Sequence, residues 1–226
     1  MKGNEYDPQA TGLTPDKLAA DLRESEQRQE PVRDWWNRAH QSSHVFWLSG
    51  TEAREVWQRL DVESQILPGR SVLDIGVGLG TCTRALAELG CEVHALDISP
   101  IALERVKPFA RTHLASDLSS LPAGYFDLAL SHLVAQHMNT ENLLAQFEAV
   151  IRALKRGGIL AVQFAKPLTD SAETNESPAA EKGGGCLRTP AMMVALAERA
   201  GGRVTRTFEK ERFQASAWHV LHVTPA

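Results

Sequence analysis

Ser71-Val-Leu-Asp-Ile-Gly-Val-Gly-Leu-Gly-Thr81 is the stretch that decides the fold of this 226-residue chain. A short apolar run stops at Asp74, three glycines follow at every second position, and a helix-compatible segment runs from Thr81 to Leu89. This order predicts a buried strand, a tight glycine turn and the start of a helix. In an open α/β sheet, a nucleotide-like ligand lies across such strand ends, where glycine lets the backbone approach it closely.

The glycine spacing and one carboxylate argue against a dinucleotide ligand. A dinucleotide fingerprint is Gly-x-Gly-x-x-Gly or Ala, but the sixth position is Thr81 counted from Gly76 and Thr83 counted from Gly78. Asp74 would oppose the phosphates that helix N-termini attract. S-adenosylmethionine has no phosphate and carries an ammonium and a sulfonium, so its charges suit this turn better. A tight turn without a ligand is the alternative interpretation.

The composition indicates an ordinary soluble globular protein. Hydrophobic residues make up 43% of the chain, charged residues make up 23%, and the formal net charge is −4. No apolar run reaches the roughly 18 residues that span a membrane, and the N-terminus lacks a signal-peptide core. The three cysteines are scattered, with no Cys-x-x-Cys pair. We therefore expect a cytoplasmic protein without a zinc site, with no membrane association and with nucleic acid as an unlikely partner.

Short apolar strands alternate with helices downstream of the glycine turn, which favours a mainly parallel sheet covered on both faces. The predicted strands are Val72–Ile75, Glu92–Leu96, Thr112–Ala115, Phe126–Leu130, Gly158–Phe164, Val204–Phe208 and Ala215–Val223. The predicted helices are Thr81–Leu89, Pro100–Phe109 with Ser99 as its cap, Glu141–Leu154 with Thr140 as its cap and Gly157-Gly158 at its end, and one that starts at Thr189-Pro190.

Four further motifs follow the first in order along the chain. They are His94-Ala-Leu-Asp-Ile-Ser99, Ala115-Ser-Asp-Leu118, Phe126-Asp-Leu-Ala-Leu-Ser131 and Leu154-Lys-Arg-Gly-Gly-Ile-Leu160. With Val72 to Gly80, they resemble the class I S-adenosylmethionine-dependent methyltransferases over roughly residues 70 to 165. The resemblance implies a Rossmann-like α/β fold with seven strands, mostly parallel, a C-terminal antiparallel hairpin and helices on both faces.

The ends of the chain depart from this pattern. We expect an N-terminal helical extension or cover over residues 1–67, a cofactor-binding domain over 68–226, and a lid loop or a disordered insertion at 166–188. Four of the five tryptophans lie in the extension. Trp35, Trp36 and Trp47 are predicted either to line a pocket or to pack a helical cover onto the sheet. Arg188 is expected to be a solvated surface residue, with pairing to an acidic substrate group as the alternative.

The cofactor site is predicted from strand ends. Asp97 closes the second strand, 21 positions after Gly76, where an acid accepts hydrogen bonds from ribose hydroxyls. The resemblance implies that Asp117 and Leu118 lie at the adenine and that Asp74 lies at the methionyl end. The predicted cofactor-binding residues are Asp74, Gly76, Gly78, Gly80, Asp97, Ile98, Asp117, Leu118 and Ser131.

Two histidines follow the fourth strand, at the end that faces the transferred methyl group in the family. His137, and secondly His132, are candidate general bases, because an unperturbed imidazole has a pKa near the working pH. Capping of a helix or packing against the cofactor is the alternative for both. The amino-methylating signature Asn/Asp-Pro-Pro-Tyr is absent. His40 and His44 are four residues apart, but no third ligand lies near them, so no metal is expected.

The expected reaction is transfer of a methyl group from S-adenosylmethionine, with S-adenosylhomocysteine as the product. The expected acceptor is an oxygen, or a nitrogen, of a small molecule such as a sugar or a secondary metabolite. RNA or protein methylation is the second interpretation, and a non-catalytic S-adenosylmethionine-binding protein is the third. We expect a monomer or a homodimer.

Overall fold

The structure is a computed structural model, and it describes residues 15–41, 52–168, 176–212 and 216–226. Trp47 and His44 lie outside these residues, as does part of the expected lid. Within them, no helix combines the length and the apolar character needed to cross a membrane.

The described residues form a seven-stranded sheet in the order β3-β2-β1-β4-β5-β7-β6. The strands are β1 (Ser71–Ile75), β2 (Glu92–Asp97), β3 (Arg111–Leu114), β4 (Phe126–Ser131), β5 (Leu154–Pro167), β6 (Gly202–Arg212) and β7 (Ser216–Pro225). The first five pair in parallel, whereas β7 pairs antiparallel with both β5 and β6. The predicted Rossmann-like sheet with its C-terminal hairpin is confirmed.

Helices precede and separate the strands. They are α1 (Pro15–Gln27), α2 (Val32–Gln41), α3 (Ala53–Arg59), α4 (Thr81–Glu88), α5 (Pro100–Val106), α6 (Thr140–Ala153) and α7 (Pro190–Arg199). Every residue of β1 is buried. Val72 packs into the apolar cluster on one face of the sheet, while Leu73 and Ile75 pack into the cluster on the other. The central strand is thus covered on both sides.

The ends of α6 differ from the prediction. Asn139, not Thr140, caps the helix, because its side chain accepts a hydrogen bond from the backbone N–H of Asn142 at 2.9 Å. The helix ends at Ala153, before the glycine pair. Gly157 and Gly158 instead lie within β5, where the pairing with β4 shifts register. A Cβ on Gly158 would meet the carbonyl oxygen of Phe126 at 2.7 Å, so glycine is needed there for strand pairing. The predicted cap Ser99 is confirmed, and the helix predicted to start at Thr189-Pro190 begins at Pro190, with Thr189 as its cap.

Candidate functional site

The glycine turn after β1 is constrained by the protein's own packing. Gly76, Gly78 and Gly80 all have positive φ angles, of 71°, 55° and 82°. A Cβ on Gly76 would lie 2.2 Å from Val134 Cγ2, and one on Gly80 would lie 2.6 Å from Val106 Cγ1. Non-bonded carbon atoms prefer about 3.5–4.0 Å. Two of the three glycines are therefore required by conformation and by contact with distant side chains, independently of any ligand.

A cavity of about 590 Å³ opens at the carboxyl ends of the central strands, which is where ligands bind in open α/β sheets. Seven of the predicted site residues line it: Gly76, Gly78, Asp97, Ile98, Leu118, His132 and His137. The strand order, together with the glycine turn, brings together these residues from four different motifs.

Four predicted residues do not line this cavity. Asp74 lines a smaller space of about 40 Å³, and both spaces share Gly76 and His132 in their walls. Gly80 faces Val106 instead. Asp117 is exposed, and its carboxylate accepts a hydrogen bond from the Ser119 hydroxyl at 2.5 Å.

The fourth of these residues, Ser131, is 1% exposed. Its hydroxyl is covered and has no hydrogen-bond partner among the described residues. The side chain therefore lies within the sheet layer, one residue before the cavity-lining His132, and does not reach the cavity itself.

Asp97 is held by backbone donors at the end of β2. Its Oδ1 accepts from the N–H of Ser99 at 2.8 Å, and its Oδ2 accepts from the N–H of Gly78 at 3.4 Å. The side chain is buried, and burial raises its pKa to about 6. These contacts fix the carboxylate at the cavity wall and tie it to the glycine turn.

Asp74 is a second buried carboxylate close to the first. The Thr83 hydroxyl donates to its Oδ2 at 2.6 Å. Burial, together with the negative charge of Asp97, raises its pKa to about 6. No basic side chain of the described residues forms an ion pair with either carboxylate. Because a buried carboxylate is costly without a positive partner, this part of the site favours a cationic ligand.

Both candidate histidines are much weaker bases than the sequence argument assumed. Burial lowers the pKa of His137 to about 4. Burial and the nearby charge of Arg59 lower the pKa of His132 to about 3. The assumption of an unperturbed imidazole is therefore wrong, because the low-polarity surroundings disfavour the charged form. Both rings are neutral at physiological pH.

His137 is also engaged by the protein. Its ring donates a hydrogen bond to the carbonyl of Ala180, and its Nδ1 is covered and has no partner among the described residues. The ring of Trp36 packs against it edge-on, with centroids 5.0 Å apart. In this conformation, neither nitrogen of His137 is open to the cavity. His132 also has a covered nitrogen, its Nε2, which has no hydrogen-bond partner in the described part of the chain.

The segment 176–188 reaches the cavity wall at Glu181 and joins the wall to the N-terminal helices. The indole N–H of Trp36 donates to the carbonyl of Glu181 at 3.3 Å, and the Asn139 side chain donates to Glu181 Oε2 at 3.2 Å. The ammonium of Lys182, which is 1% exposed, donates to the Ser25 hydroxyl at 2.7 Å. Trp36 and Glu181 both line the cavity. No sequence signal marked Glu181 or Lys182, since both lie in a polar, glycine-rich stretch.

Arg188 is buried, contrary to prediction. It is 1% exposed and donates to the carbonyls of Ala135 and Met138 at 3.1 and 2.7 Å. It also pairs with Glu176 at 2.9 Å. The solvated position expected from the polar sequence is wrong, because these partners, which lie in the turn before α6 and in the segment 176–188, desolvate the guanidinium together.

The N-terminal tryptophans divide between the two predicted roles. Trp35 is 2% exposed and packs with Ala39, while its indole N–H donates to Asp21 at 2.9 Å. Trp36 lines the cavity. Asn37 accepts a hydrogen bond from the Ser99 hydroxyl at 2.7 Å, which ties α2 to the start of α5. Within the described ranges, no group of three or more His, Cys, Asp or Glu side chains is arranged to hold a metal ion.

Comparison with known proteins identifies the central part of the chain. A family model described as a methyltransferase domain matches residues 73–162. An uncharacterized methyltransferase from Synechocystis sp. is 38% identical over 114 residues, which are 48% of this chain and 53% of that protein. Ribosomal protein L11 methyltransferase from Bacillus cytotoxicus is 30% identical over 132 residues, which are 54% of this chain and 40% of that protein. The chain thus spans about half, or less, of the length of these relatives.

The fold extends the likeness to the whole chain. The structure of 1,6-didemethyltoxoflavin-N1-methyltransferase from Burkholderia thailandensis, with bound 1,6-didemethyltoxoflavin and S-adenosylhomocysteine, aligns with a TM-score of 0.68 at 16% identity, covering 100% of this chain and 93% of that one. This likeness shows the fold. The family model matches residues 73–162 as a methyltransferase domain, and the structural likeness places that stretch within the fold of a solved methyltransferase.

Proposed function

We propose that the protein binds S-adenosylmethionine in the 590 Å³ cavity and transfers its methyl group to a small molecule. The observation that carries this proposal is the pair of buried carboxylates, Asp74 and Asp97, neither with a basic partner among the described residues. A ligand with an ammonium and a sulfonium, but no phosphate, supplies the missing positive charge. The donor set of the cavity therefore fits this cofactor.

Five of the predicted cofactor-binding residues then have a proposed task. The two oxygens of Asp97 accept from the ribose hydroxyls, and Asp74 faces the ammonium through the small space next to Gly76. Ile98 is 36% exposed, unusual for isoleucine at a strand end, and with Leu118 it offers an apolar surface to the adenine. Asp117 reaches the adenine amine only if its carboxylate turns away from Ser119.

The protein's contribution to the reaction is binding, orientation and exclusion of water. The bound cofactor supplies an electrophilic methyl group on a sulfonium. The cavity walls hold an acceptor atom in line with that group, and such positioning accounts for much of a rate enhancement. His132 and His137 are neutral and weakly basic, so their proposed role is to shape the wall. A strong general base is not available from either.

A small acceptor is favoured by the volume of the site. Helix α2 and Glu181 form part of the wall of the cavity, whose 590 Å³ must hold both the cofactor and the acceptor. The structure aligned above binds a small molecule beside S-adenosylhomocysteine, which supports the same choice here, with nitrogen or oxygen as the methylated atom. A protein acceptor is the second candidate, because one relative is a ribosomal protein methyltransferase.

Calorimetry with S-adenosylhomocysteine and NAD tests the proposal. We expect binding of the first and no binding of the second. Asp97→Asn should weaken the binding of S-adenosylhomocysteine about 10- to 100-fold, because hydrogen bonds to a charged group contribute about 1.5–3 kcal/mol. Glu104→Gln, on the exposed face of α5, is the matched control and should change nothing. Binding of NAD alone would overturn the proposal, and transfer of a labelled methyl group to a macromolecular fraction would select the second candidate.

A further inference from the structure

Glu181 places a negative charge at the wall of the cavity. It belongs to the π-helical segment Ala180–Gly184. Hydrogen bonds from two side chains of other segments hold the backbone of this segment. Trp36 donates to the carbonyl of Glu181, and His137 donates to the carbonyl of Ala180. The Asn139 amide donates to Glu181 Oε2 at 3.2 Å, and Oε1 has no hydrogen-bond partner among the described residues.

The cations around this segment are engaged elsewhere. Lys182 follows Glu181 directly, but its ammonium is buried against the Ser25 hydroxyl. Arg188 pairs with Glu176. Arg105, on α5, donates to the carbonyl of His40. None of these three side chains reaches the cavity wall.

Arg33 is the one arginine or lysine that lines the cavity within the described residues, and it pairs with Asp34 while remaining 55% exposed. An anionic ligand would therefore meet the carboxylate of Glu181 without a buried cation to offset the repulsion. A protonated amine would gain a charge-assisted hydrogen bond there, the stronger kind of hydrogen bond. Trp36, which donates to the carbonyl of Glu181, lines the same part of the cavity.

We propose that the acceptor is a basic small molecule whose protonated amine pairs with Glu181 beside Trp36. This inference rests on the proposed function and narrows its acceptor class. Acceptors whose anchoring group is a carboxylate or a phosphate ester are disfavoured, because that group would lie beside Glu181. The amine that pairs with Glu181 is the anchoring group and is distinct from the atom that is methylated, since a protonated nitrogen has no lone pair to offer.

Ligand-observed NMR with three probes of similar shape tests the inference without turnover. Benzylamine, benzyl alcohol and benzoate are titrated into the protein saturated with S-adenosylhomocysteine. We expect benzylamine to bind most tightly and benzoate to bind most weakly. Glu181→Gln keeps an oxygen for Asn139 but removes the charge. It should therefore weaken the binding of benzylamine about tenfold and make the affinities of the three probes similar. Glu198→Gln, on the exposed face of α7, is the matched control.

The outcomes separate this inference from the proposed function. Calorimetry of Glu181→Gln with S-adenosylhomocysteine should match the unaltered protein, which also shows that the variant is folded. Benzoate binding as tightly as benzylamine, an unchanged order of probes in Glu181→Gln, or no benzylamine binding to the loaded protein would each overturn the acceptor class. Failure of S-adenosylhomocysteine itself to bind would overturn the proposed function.

Discussion

Lowering the pH should weaken cofactor binding through Asp74 and Asp97. Burial raises the pKa of each to about 6 from an ordinary value of 3.8. A bound ammonium and bound ribose hydroxyls favour the charged carboxylates, so the pKa of each falls in the complex. Binding therefore releases protons near pH 6, and affinity is full above that pH and is lost below it.

The size of the effect follows from these pKa values. If binding returns one carboxylate to a pKa near 3.8, affinity at about pH 5 is about tenfold lower than at about pH 7. If the pKa of both carboxylates falls in this way on binding, the affinity decreases by up to about a hundredfold over the same pH range. Because Asp97 raises the pKa of Asp74 through repulsion, the two titrate as a coupled pair, and we expect a loss between these limits.

Calorimetry with S-adenosylhomocysteine across this pH range, in two buffers of different ionisation enthalpy, measures both the affinity and the protons released. Asp74→Asn keeps an oxygen for the Thr83 hydroxyl but cannot ionise, so its affinity should be lower and less dependent on pH. Glu104→Gln should keep the full dependence. An affinity that changes less than about twofold between about pH 5 and pH 7 in folded protein would refute the linkage argument.

Three further predictions concern stability. Gly76→Ala should lower the free energy of unfolding by about 3 kcal/mol or more, because the added methyl group clashes with Val134 in addition to the cost of a positive φ. Gly69→Ala, at a φ of 79° with open space around its Cβ, should lower it by only about 1 kcal/mol. Equal decreases for the two variants in urea unfolding would contradict this. Arg188→Met should lower the free energy of unfolding by about 3 kcal/mol, because it breaks a buried ion pair. Arg206→Gln removes a pair whose side chains are 56% and 47% exposed, so it should lower that free energy by less than about 1 kcal/mol. Similar decreases for the two variants would count against the effect of burial. The unliganded protein should lose stability as the pH falls from about 6.5 towards 4, because buried histidines with pKa values near 4 bind protons more readily once the chain is unfolded. A melting temperature that rises on acidification would show that the buried carboxylates dominate instead.

The sequence predicted features that are set by neighbouring residues. The strands of the sheet, the cap Ser99, the helix start at Thr189-Pro190 and the position of Asp97 at the end of β2 all follow from local patterns. Parallel strands then place their carboxyl ends at one edge without further information. This is why the cavity contains seven of the predicted residues.

Features set by distant contacts were not predictable. Val134 is the reason that Gly76 has no room for a side chain, yet the two are far apart in the sequence. Arg188 lies in a polar stretch that reads as surface, but partners from two segments bury it. The pKa values of His132 and His137 depend on burial that no local pattern reveals.

A crystal structure of the protein with S-adenosylhomocysteine would show directly whether Asp74 and Asp97 hold the cofactor. We expect the ribose hydroxyls within hydrogen-bond distance of the Asp97 carboxylate, the amino group on the side of Asp74, and the adenine against Leu118 and Ile98. A ligand bound elsewhere, or bound in the cavity with its ribose away from Asp97, would contradict it.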